Sequence, residues 1–375
     1  MRSRRSVLLG LVSSVALAWL ALSPAASGQA AAQRLPTSLT NQEFWKLATD
    51  FSEPDGMFHS ENLVSNEIRF QSILPALIER ITPGRAYVGV GSEQNFTYIV
   101  AARPSIAFIV DIRRGNLDLH LLYKALFEMS ADRAEFVSRM FSRPRPAGLG
   151  ANSTTAAIFA AFEGVQPNRD SYTTNFDAVV ARLTRTHGFT LSAGDLDGLR
   201  YVYDAWFKDG PDIHYELTTG GGGGFGGRGG GRGGQGGRGG FPTYADLMTA
   251  TDDAGVARSF LASEASFRLV KDLQTRNLIV PVVGNFGGPK ALRAVGGYLK
   301  SKGAVVSTFY VSNVEQYLHQ DGIWNAFCAS AATLPIDRTS TFIRSERGGF
   351  GGQGRGGGGF ALALAPIQQD LAACK

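Results

Sequence analysis

Cysteine and histidine are scarce in this sequence, and their spacing matches no metal-binding pattern. The 375 residues include two cysteines, Cys328 and Cys374, and five histidines. No CxxC motif and no Cys/His group at ligand spacing occurs, which excludes the zinc-site patterns that depend on them. One disulfide between the two cysteines is compatible with an oxidising compartment, and two separate thiols are the alternative.

Several catalytic signatures are also absent. The sequence contains no GxSxG, HExxH, P-loop or EF-hand motif, so hydrolase, kinase and calcium-site interpretations lack support. Beyond the N-terminal region no hydrophobic run of membrane-spanning length occurs. We therefore expect no permanent transmembrane segment in the mature protein.

Positive charge is concentrated outside the part of the chain that is expected to fold. The formal net charge is +5. Residues 1–30 contribute +3, and two glycine-rich stretches at 220–240 and 347–360 together contribute +5, which leaves −3 for the rest. A faintly acidic body gives no electrostatic reason to expect nucleic-acid binding, so no nucleic-acid partner is predicted.

The first 30 residues have the order of a secretory signal peptide. Three arginines lie within the first five residues, an apolar run covers 7–22, and small residues at 24–30 supply a cleavage site. A permanent anchor is the alternative, although the run is shorter than the ~20 residues that a span requires. Because segment 3–9 also resembles a twin-arginine signal, the sequence predicts a periplasmic or secreted protein with either export route open.

Glycine-rich segments set the predicted domain boundaries. The stretches 220–240 and 347–360 contain 16 and 9 of the 47 glycines. Such composition cannot bury enough apolar surface to offset the entropy cost of ordering, so both are predicted to be disordered. The remaining chain is predicted to form one α/β domain over 31–346 and a C-terminal tail over 361–375.

Buried strands alternate with helices along the predicted domain. The predicted strands are 86–91, 106–112, 188–191, 278–283, 304–311 and 341–344. The predicted helices are 42–51, 62–81, 96–102, two within 117–141 that separate near Ser130, 196–207, 256–275, 289–302 and 313–318. Strands that are apolar along their length are buried on both faces. This predicts an α/β fold: a Rossmann-like, mainly parallel sheet covered by helices, with an N-terminal helical segment and a helical insertion.

The most informative segment joins the first two predicted strands. Gly89 and Gly91 stand at the end of the first strand, and Asp111 ends the second, 20 residues after Gly91. Glycines there let the backbone turn sharply and approach a ligand, while an acid at the second strand tip can accept hydrogen bonds from ribose hydroxyls. Nucleoside binding is the functional interpretation. A tight strand–helix turn, with Asp111 capping the next helix, is the structural alternative.

This segment resembles motifs I and II of class I, Rossmann-like S-adenosylmethionine-dependent methyltransferases. Gln94 or Asn95 replaces the third glycine of a dinucleotide fingerprint, which favours S-adenosylmethionine over NAD or FAD. The resemblance covers 86–111 and continues loosely to Val311, and the VGxGxxQNFTYI…VDIRR segment is also similar to an uncharacterised bacterial family with this fold. The cofactor-binding residues that the resemblance implies are Gly89, Gly91, Glu93, Asn95, Asp111 and Asp195.

The resemblance implies further site residues in the second half of the chain. Asn285 follows a strand, where it would position the methyl acceptor, and Phe286 would pack against that acceptor. Tyr310 ends another strand and would line the same cleft, with a helix-capping turn as the alternative. Asp195 would match a third-strand acid that contacts adenine, and a helix-cap role is its alternative.

The function that the resemblance implies is transfer of a methyl group from S-adenosylmethionine, or binding of a related nucleoside, by an exported protein whose acceptor is unknown. S-adenosylmethionine is a cytosolic metabolite and is scarce outside the cell. The alternative is therefore a non-catalytic, extracytoplasmic binding or interaction protein on a degenerate methyltransferase scaffold, because a fold alone does not decide function.

Overall fold

The computed structural model describes residues 34–215, 241–347 and 360–374. These belong to one compact unit, and none of their helices is long and apolar enough to cross a membrane. The predicted signal peptide and the predicted disordered insertion lie outside the described residues, as does nearly all of the second glycine-rich stretch.

A six-stranded sheet lies at the centre of the described chain. Its strands in chain order are β1 (Ala86–Gly89), β2 (Ile106–Asp111), β3 (Ile279–Val283), β4 (Val306–Ser312), β5 (Thr341–Arg347) and β6 (Phe360–Pro366). The spatial order is β3-β2-β1-β4-β5-β6, with β6 antiparallel to β5 and the other neighbours parallel. Strands β1, β2 and β3 are buried along their full length, as their uninterrupted apolar sequence predicts.

Helices cover the sheet. They are α1 (Asn41–Asp50), α2 (Leu74–Arg80), α3 (Gln94–Ala102), α4 (Arg114–Met129), α5 (Arg133–Phe141), α6 (Thr155–Phe162), α7 (Arg169–Ala181), α8 (Ala193–Asp209), α9 (Tyr244–Thr249), α10 (Glu264–Thr275), α11 (Ala291–Ser301), α12 (Val314–Gln320), α13 (Trp324–Ala331) and α14 (Ile367–Ala372). The predicted α/β, Rossmann-like class is confirmed. The predicted break near Ser130 is also confirmed, because α4 ends at Met129.

The chain reverses direction across the sheet next to β1. It runs outward from β1 through β2 to β3, and then returns to place β4 on the other side of β1. The topological switch point therefore lies between β1 and β4, and a crevice opens there at the carboxyl ends of the strands. Ligands of open α/β sheets bind in such a crevice.

The predicted helix over 62–81 is wrong in its first half. Residues 62–69 are irregular, and helical structure begins with a 3₁₀ turn at Phe70–Ile73 that leads into α2. The amide of Ser65 donates to Glu93 Oε1 at 3.2 Å. Side-chain acceptors thus satisfy backbone donors that a helix would otherwise use, and local periodicity does not reveal such tertiary bonds.

Two other predicted elements differ from the structure. The helix predicted over 256–275 begins only at α10, because the preceding loop is held by tertiary bonds such as that from the Phe260 amide to Thr97 Oγ1 at 3.1 Å. Residues 188–191 form no strand. They follow a π-helical turn at Arg182–Thr186, and they are covered by α1 rather than paired to the sheet.

The predicted insertion has closely spaced ends. His214 and Thr243 form an isolated antiparallel bridge. The rings of Tyr215 and Phe241 contact each other with centroids 5.0 Å apart. Residues 214–215 and 241–243, which flank the predicted insertion, therefore lie close together.

The predicted C-terminal tail is instead part of the domain. Strand β6 pairs with β5 from Thr341↔Pro366 to Arg347↔Phe360. Helix α14 follows, and Cys374 forms a disulfide with Cys328 on α13. The cross-link holds the last helix against the helical layer.

Removal of this disulfide should destabilise the protein. The cysteines are 46 residues apart, and a loop of that size is worth about 4 kcal/mol in the chain-entropy account. We expect Cys328→Ala/Cys374→Ala to lower the free energy of unfolding by about that amount, measured by urea denaturation. With a reductant present, the parent and the variant should unfold at the same urea concentration. Equal stability without reductant would contradict a structural role for the bond.

Candidate functional site

A cleft of about 770 Å³ opens at the switch point. The carboxyl ends of β1, β2, β3 and β4 form its floor, and a segment between α1 and α2 forms one wall together with α12. Its volume lies within the ~300–1,000 Å³ range of small-molecule sites. Of the predicted site residues, those that line it are Gly91, Asp111, Asn285, Phe286 and Tyr310.

Asp111 lies on the cleft floor and holds two neighbouring turns together. Its Oδ2 accepts the amide of Gly91 at 3.1 Å and its Oδ1 accepts the amide of Arg113 at 3.0 Å. Burial raises the pKa of the Asp111 carboxyl, and these two amides oppose that shift. The Gly91 amide is thus bonded directly to the Asp111 carboxylate, so it is not free to donate to a ligand.

Gly91 is fixed in a backbone conformation that favours glycine. Its φ is +79°, in the left-handed region. His120 Nε2 lies 2.8 Å from the Gly91 carbonyl oxygen. Burial lowers the pKa of His120 to about 4, so the ring is neutral near pH 7. Because the carbonyl oxygen only accepts, Nε2 carries the proton.

Gly89 and Asn95 shape the turn from beneath and do not line the cleft. A Cβ at Gly89 would lie 2.0 Å from Asn95 Oδ1. Asn95 Nδ2 donates to the carbonyls of Val90 and Ser92 at 2.8 Å each, while its Oδ1 accepts the Tyr87 hydroxyl at 2.8 Å. Both residues therefore have a structural role in place of the cofactor contact that was expected.

Glu93 is also structural in this arrangement. It is fully buried, it does not line the cleft, and its Oε2 has no hydrogen-bond partner among the described residues. Burial raises the pKa of its carboxyl to about 7, and the hydrogen bonds of Ser92 and the Ser65 amide oppose this shift only in part. The cofactor contact predicted for Glu93 is thus replaced by a carboxyl group hidden behind the turn.

Glu67 is a second buried carboxyl group, and its hydrogen-bond partners line the cleft. Glu67 accepts hydrogen bonds from the Tyr310 hydroxyl and Ser312 Oγ at 3.0 Å each, and from Gln94 Nε2 at 2.6 Å. Burial raises the pKa of Glu67, while the hydrogen bonds lower it. Tyr310, Ser312 and Gln94 all line the cleft, whereas Glu67 does not.

The β3–α11 loop forms the third part of the floor. Asn285 Oδ1 accepts the Gly287 amide at 2.9 Å. Phe286 packs edge-on against Phe309 with centroids 5.0 Å apart. Glu53 accepts the amides that begin α11, with distances of 2.8 Å and 2.9 Å, so the protein's own carboxylate occupies this helix N-terminus.

Asp195 lies outside the cleft. It forms a capping box with Ser192 at the start of α8, and its Oδ1 pairs with Arg114 Nη2 at 2.6 Å. Hydrogen bonds from Ser192 and the charge of Arg114 lower the pKa of Asp195 despite its burial. The structure therefore supports the helix-cap alternative rather than an adenine contact.

The lining of the cleft is acidic. Its carboxylates belong to Asp55, Glu61, Asp111 and Asp321, and its one lining arginine, Arg113, is paired with Glu61 at 2.5 Å. Among the described residues no group of three or more acidic, histidine or cysteine side chains is arranged to hold a metal ion. The electrostatics favour neutral or cationic ligands and disfavour anionic ones.

Sequence reasoning missed the wall contributed by residues 55–66. This segment brings Phe58, Asn62 and Ser65 to the cleft. The cluster of serine and asparagine at 60–66 is a loop signal, and binding residues concentrate on loops. The apolar periodicity that begins in the same segment concealed it.

The buried Glu93 carboxyl should make stability depend on pH. A carboxyl whose folded pKa is about 7 lies above the unfolded value of ~4.3, so its stabilising contribution is complete below about pH 4 and is lost as the pH rises through 7. We expect Glu93→Gln to match the parent at pH 4.5 and to be more stable by about 1–3 kcal/mol at pH 8.5, measured by urea denaturation. Glu79→Gln, at an exposed position of α2, is the matched control. A pH-independent loss of stability in Glu93→Gln would contradict this assignment.

One known family model matches most of the domain. The family model described as "Domain of unknown function (DUF7790)" covers residues 62–192 and 237–364, well over half of the chain. The two matched blocks contain Asp111, Asn285 and Tyr310 of the cleft. No curated protein matches the chain significantly. The chain belongs to the family described as Domain of unknown function (DUF7790).

Proposed function

We propose that the cleft binds S-adenosylmethionine or a closely related nucleoside, and that the protein transfers the methyl group to an acceptor bound beside it. The observation that carries this proposal is the position of Asp111. Its carboxylate lies on the cleft floor at the tip of β2, where an acid of a Rossmann-like fold accepts ribose hydroxyls. Each oxygen accepts one backbone amide and keeps acceptor capacity for a hydroxyl.

The surroundings of Asp111 favour a ligand without phosphates. Phosphate sites use the free amides of a helix N-terminus. At α3 the amide of Phe96 donates to the Glu93 carbonyl at 2.9 Å, and the Gly91 amide is taken by Asp111. At α11 the Glu53 carboxylate takes the corresponding amides. An acidic cleft with these amides already bonded suits a nucleoside that carries a sulfonium better than a dinucleotide.

The residues present provide for both parts of a methyl transfer. When bound, S-adenosylmethionine supplies an electrophilic methyl group on sulfur. Asn285 and Phe286 line the cleft at the end of β3, where they would orient the acceptor. Tyr310 Oη would receive the proton of the acceptor while its own proton passes to Glu67 Oε2, 3.0 Å away. A buried carboxyl group with a raised pKa is suited to hold that proton.

A non-catalytic binding protein is the second candidate, and the disulfide between Cys328 and Cys374 favours it. Disulfides persist in oxidising compartments, where S-adenosylmethionine is scarce. We infer that the protein is exported through the signal at residues 1–30 to the periplasm or the exterior. Incubation with methyl-labelled S-adenosylmethionine and an envelope extract separates the candidates. Incorporation that Tyr310→Phe abolishes supports the enzyme, and nucleoside binding without incorporation supports the binding protein.

Binding of the nucleoside should depend on Asp111. We expect S-adenosylmethionine and S-adenosylhomocysteine to bind with micromolar affinity in isothermal titration calorimetry, and NAD to bind at least 100-fold more weakly. Asp111→Asn should lose about 10-fold or more in affinity, since a hydrogen bond to a charged group is worth ~1.5–3 kcal/mol.

Asp197→Asn, at an exposed position of α8, is the matched control and should bind like the parent. All titrations are run well below the melting temperature of each variant, because Asp111 also holds two turns. If millimolar nucleoside produced no binding heat and no thermal shift, the result would contradict the proposal.

A further inference from the structure

One wall of the cleft is aromatic. Phe58 and His59 lie between α1 and α2, Tyr317 lies on α12, and all three line the cleft. The rings of Phe58 and Tyr317 meet edge to face, with centroids 5.0 Å apart at 85°. The His59 ring is 4.2 Å from that of Phe58, and its Nε2 is 3.2 Å from the Tyr317 hydroxyl oxygen. We refer to Phe58, His59 and Tyr317 as the aromatic wall.

A carboxylate accompanies the aromatic wall. Asp321 lines the same cleft, follows the last turn of α12 and is exposed. It is four residues after Tyr317, so the two side chains occupy the same face of the helix. Among the described residues Asp321 forms no ion pair, whereas Arg113 is already paired with Glu61 and also donates to the Ser60 carbonyl.

The chemistry of this part of the cleft selects an organic cation. Aromatic faces attract ammonium groups that carry alkyl substituents, with ~0.5–2 kcal/mol per contact. A nearby carboxylate adds attraction for positive charge and repels anions. The Phe58 ring offers no ligand to a metal ion, and the described residues contain no group of three or more histidine, cysteine or acidic side chains that could hold one.

We propose that the aromatic wall and Asp321 bind an alkylated ammonium group, with Phe58 and Tyr317 against its methyl groups and the Asp321 carboxylate as its counter-ion. This adds a second ligand class to the cleft. It does not rest on nucleoside binding, because neither Asp111 nor the β1–α3 turn takes part in it.

Choline and its neutral isostere 3,3-dimethylbutan-1-ol provide a direct test. The two probes share shape and differ in charge. We expect choline to bind the whole protein at least 10-fold more tightly than the alcohol in isothermal titration calorimetry at low salt. Phe58→Leu, which keeps apolar bulk but removes the ring, should weaken choline by about 3–30-fold, the range that ~0.5–2 kcal/mol represents.

Asp321→Asn is the second variant, and because the position is exposed the protein should fold normally. It should weaken choline at low salt and lose this effect at high salt, where the charge is screened. Tyr201→Leu and Asp197→Asn on α8, outside the cleft, should bind like the parent. Equal affinity for choline and the alcohol, no binding at tens of millimolar, or unchanged affinity in both cleft variants would overturn the proposal. Because no nucleoside is added, failure of the nucleoside titrations leaves these results unaffected.

Discussion

Asp111 accepts the Gly91 amide at one oxygen and the Arg113 amide at the other, and this pair of bonds ties the turn after β1 to the turn after β2. Neither turn can change course without leaving a buried carboxylate short of donors, which is costly in a low-dielectric interior. His120 extends the arrangement by bonding the Gly91 carbonyl from α4. The floor of the cleft is thus fixed from three directions.

Buried or half-buried carboxylates recur around the same end of the sheet. Glu53 holds the start of α11, Glu67 receives Tyr310 and Ser312, and Glu93 lies behind the β1–α3 turn. Glu53 and Glu67 come from the segment before β1 and bond parts of the chain that follow it, α11 and β4. Glu93 accepts the Ser65 amide from the same segment. The acidic character of the cleft itself comes from the lining carboxylates of Asp55, Glu61, Asp111 and Asp321. Asp111 and Glu53 also take backbone amides that a phosphate would need.

The sequence predicts the parts of this molecule that depend on local pattern. Five of the six strands and the tip position of Asp111 follow from apolar runs and their ends. Strand β6 was missed because its apolar run follows a glycine-rich stretch. The wall at residues 55–66 was missed because its path is set by bonds such as that from the Ser65 amide to Glu93. Asp195 shows the opposite case, since a capping box is a local signal that the structure bears out.

The bridge between His214 and Thr243, with the Tyr215–Phe241 ring contact beside it, brings the two ends of a long stretch of sequence to one point of the domain. A fold closed in this way does not prescribe how many residues lie between those ends. Homologous chains can therefore differ there in length and composition while they keep the same core. The junction is also a natural position at which to introduce a reporter or a purification tag.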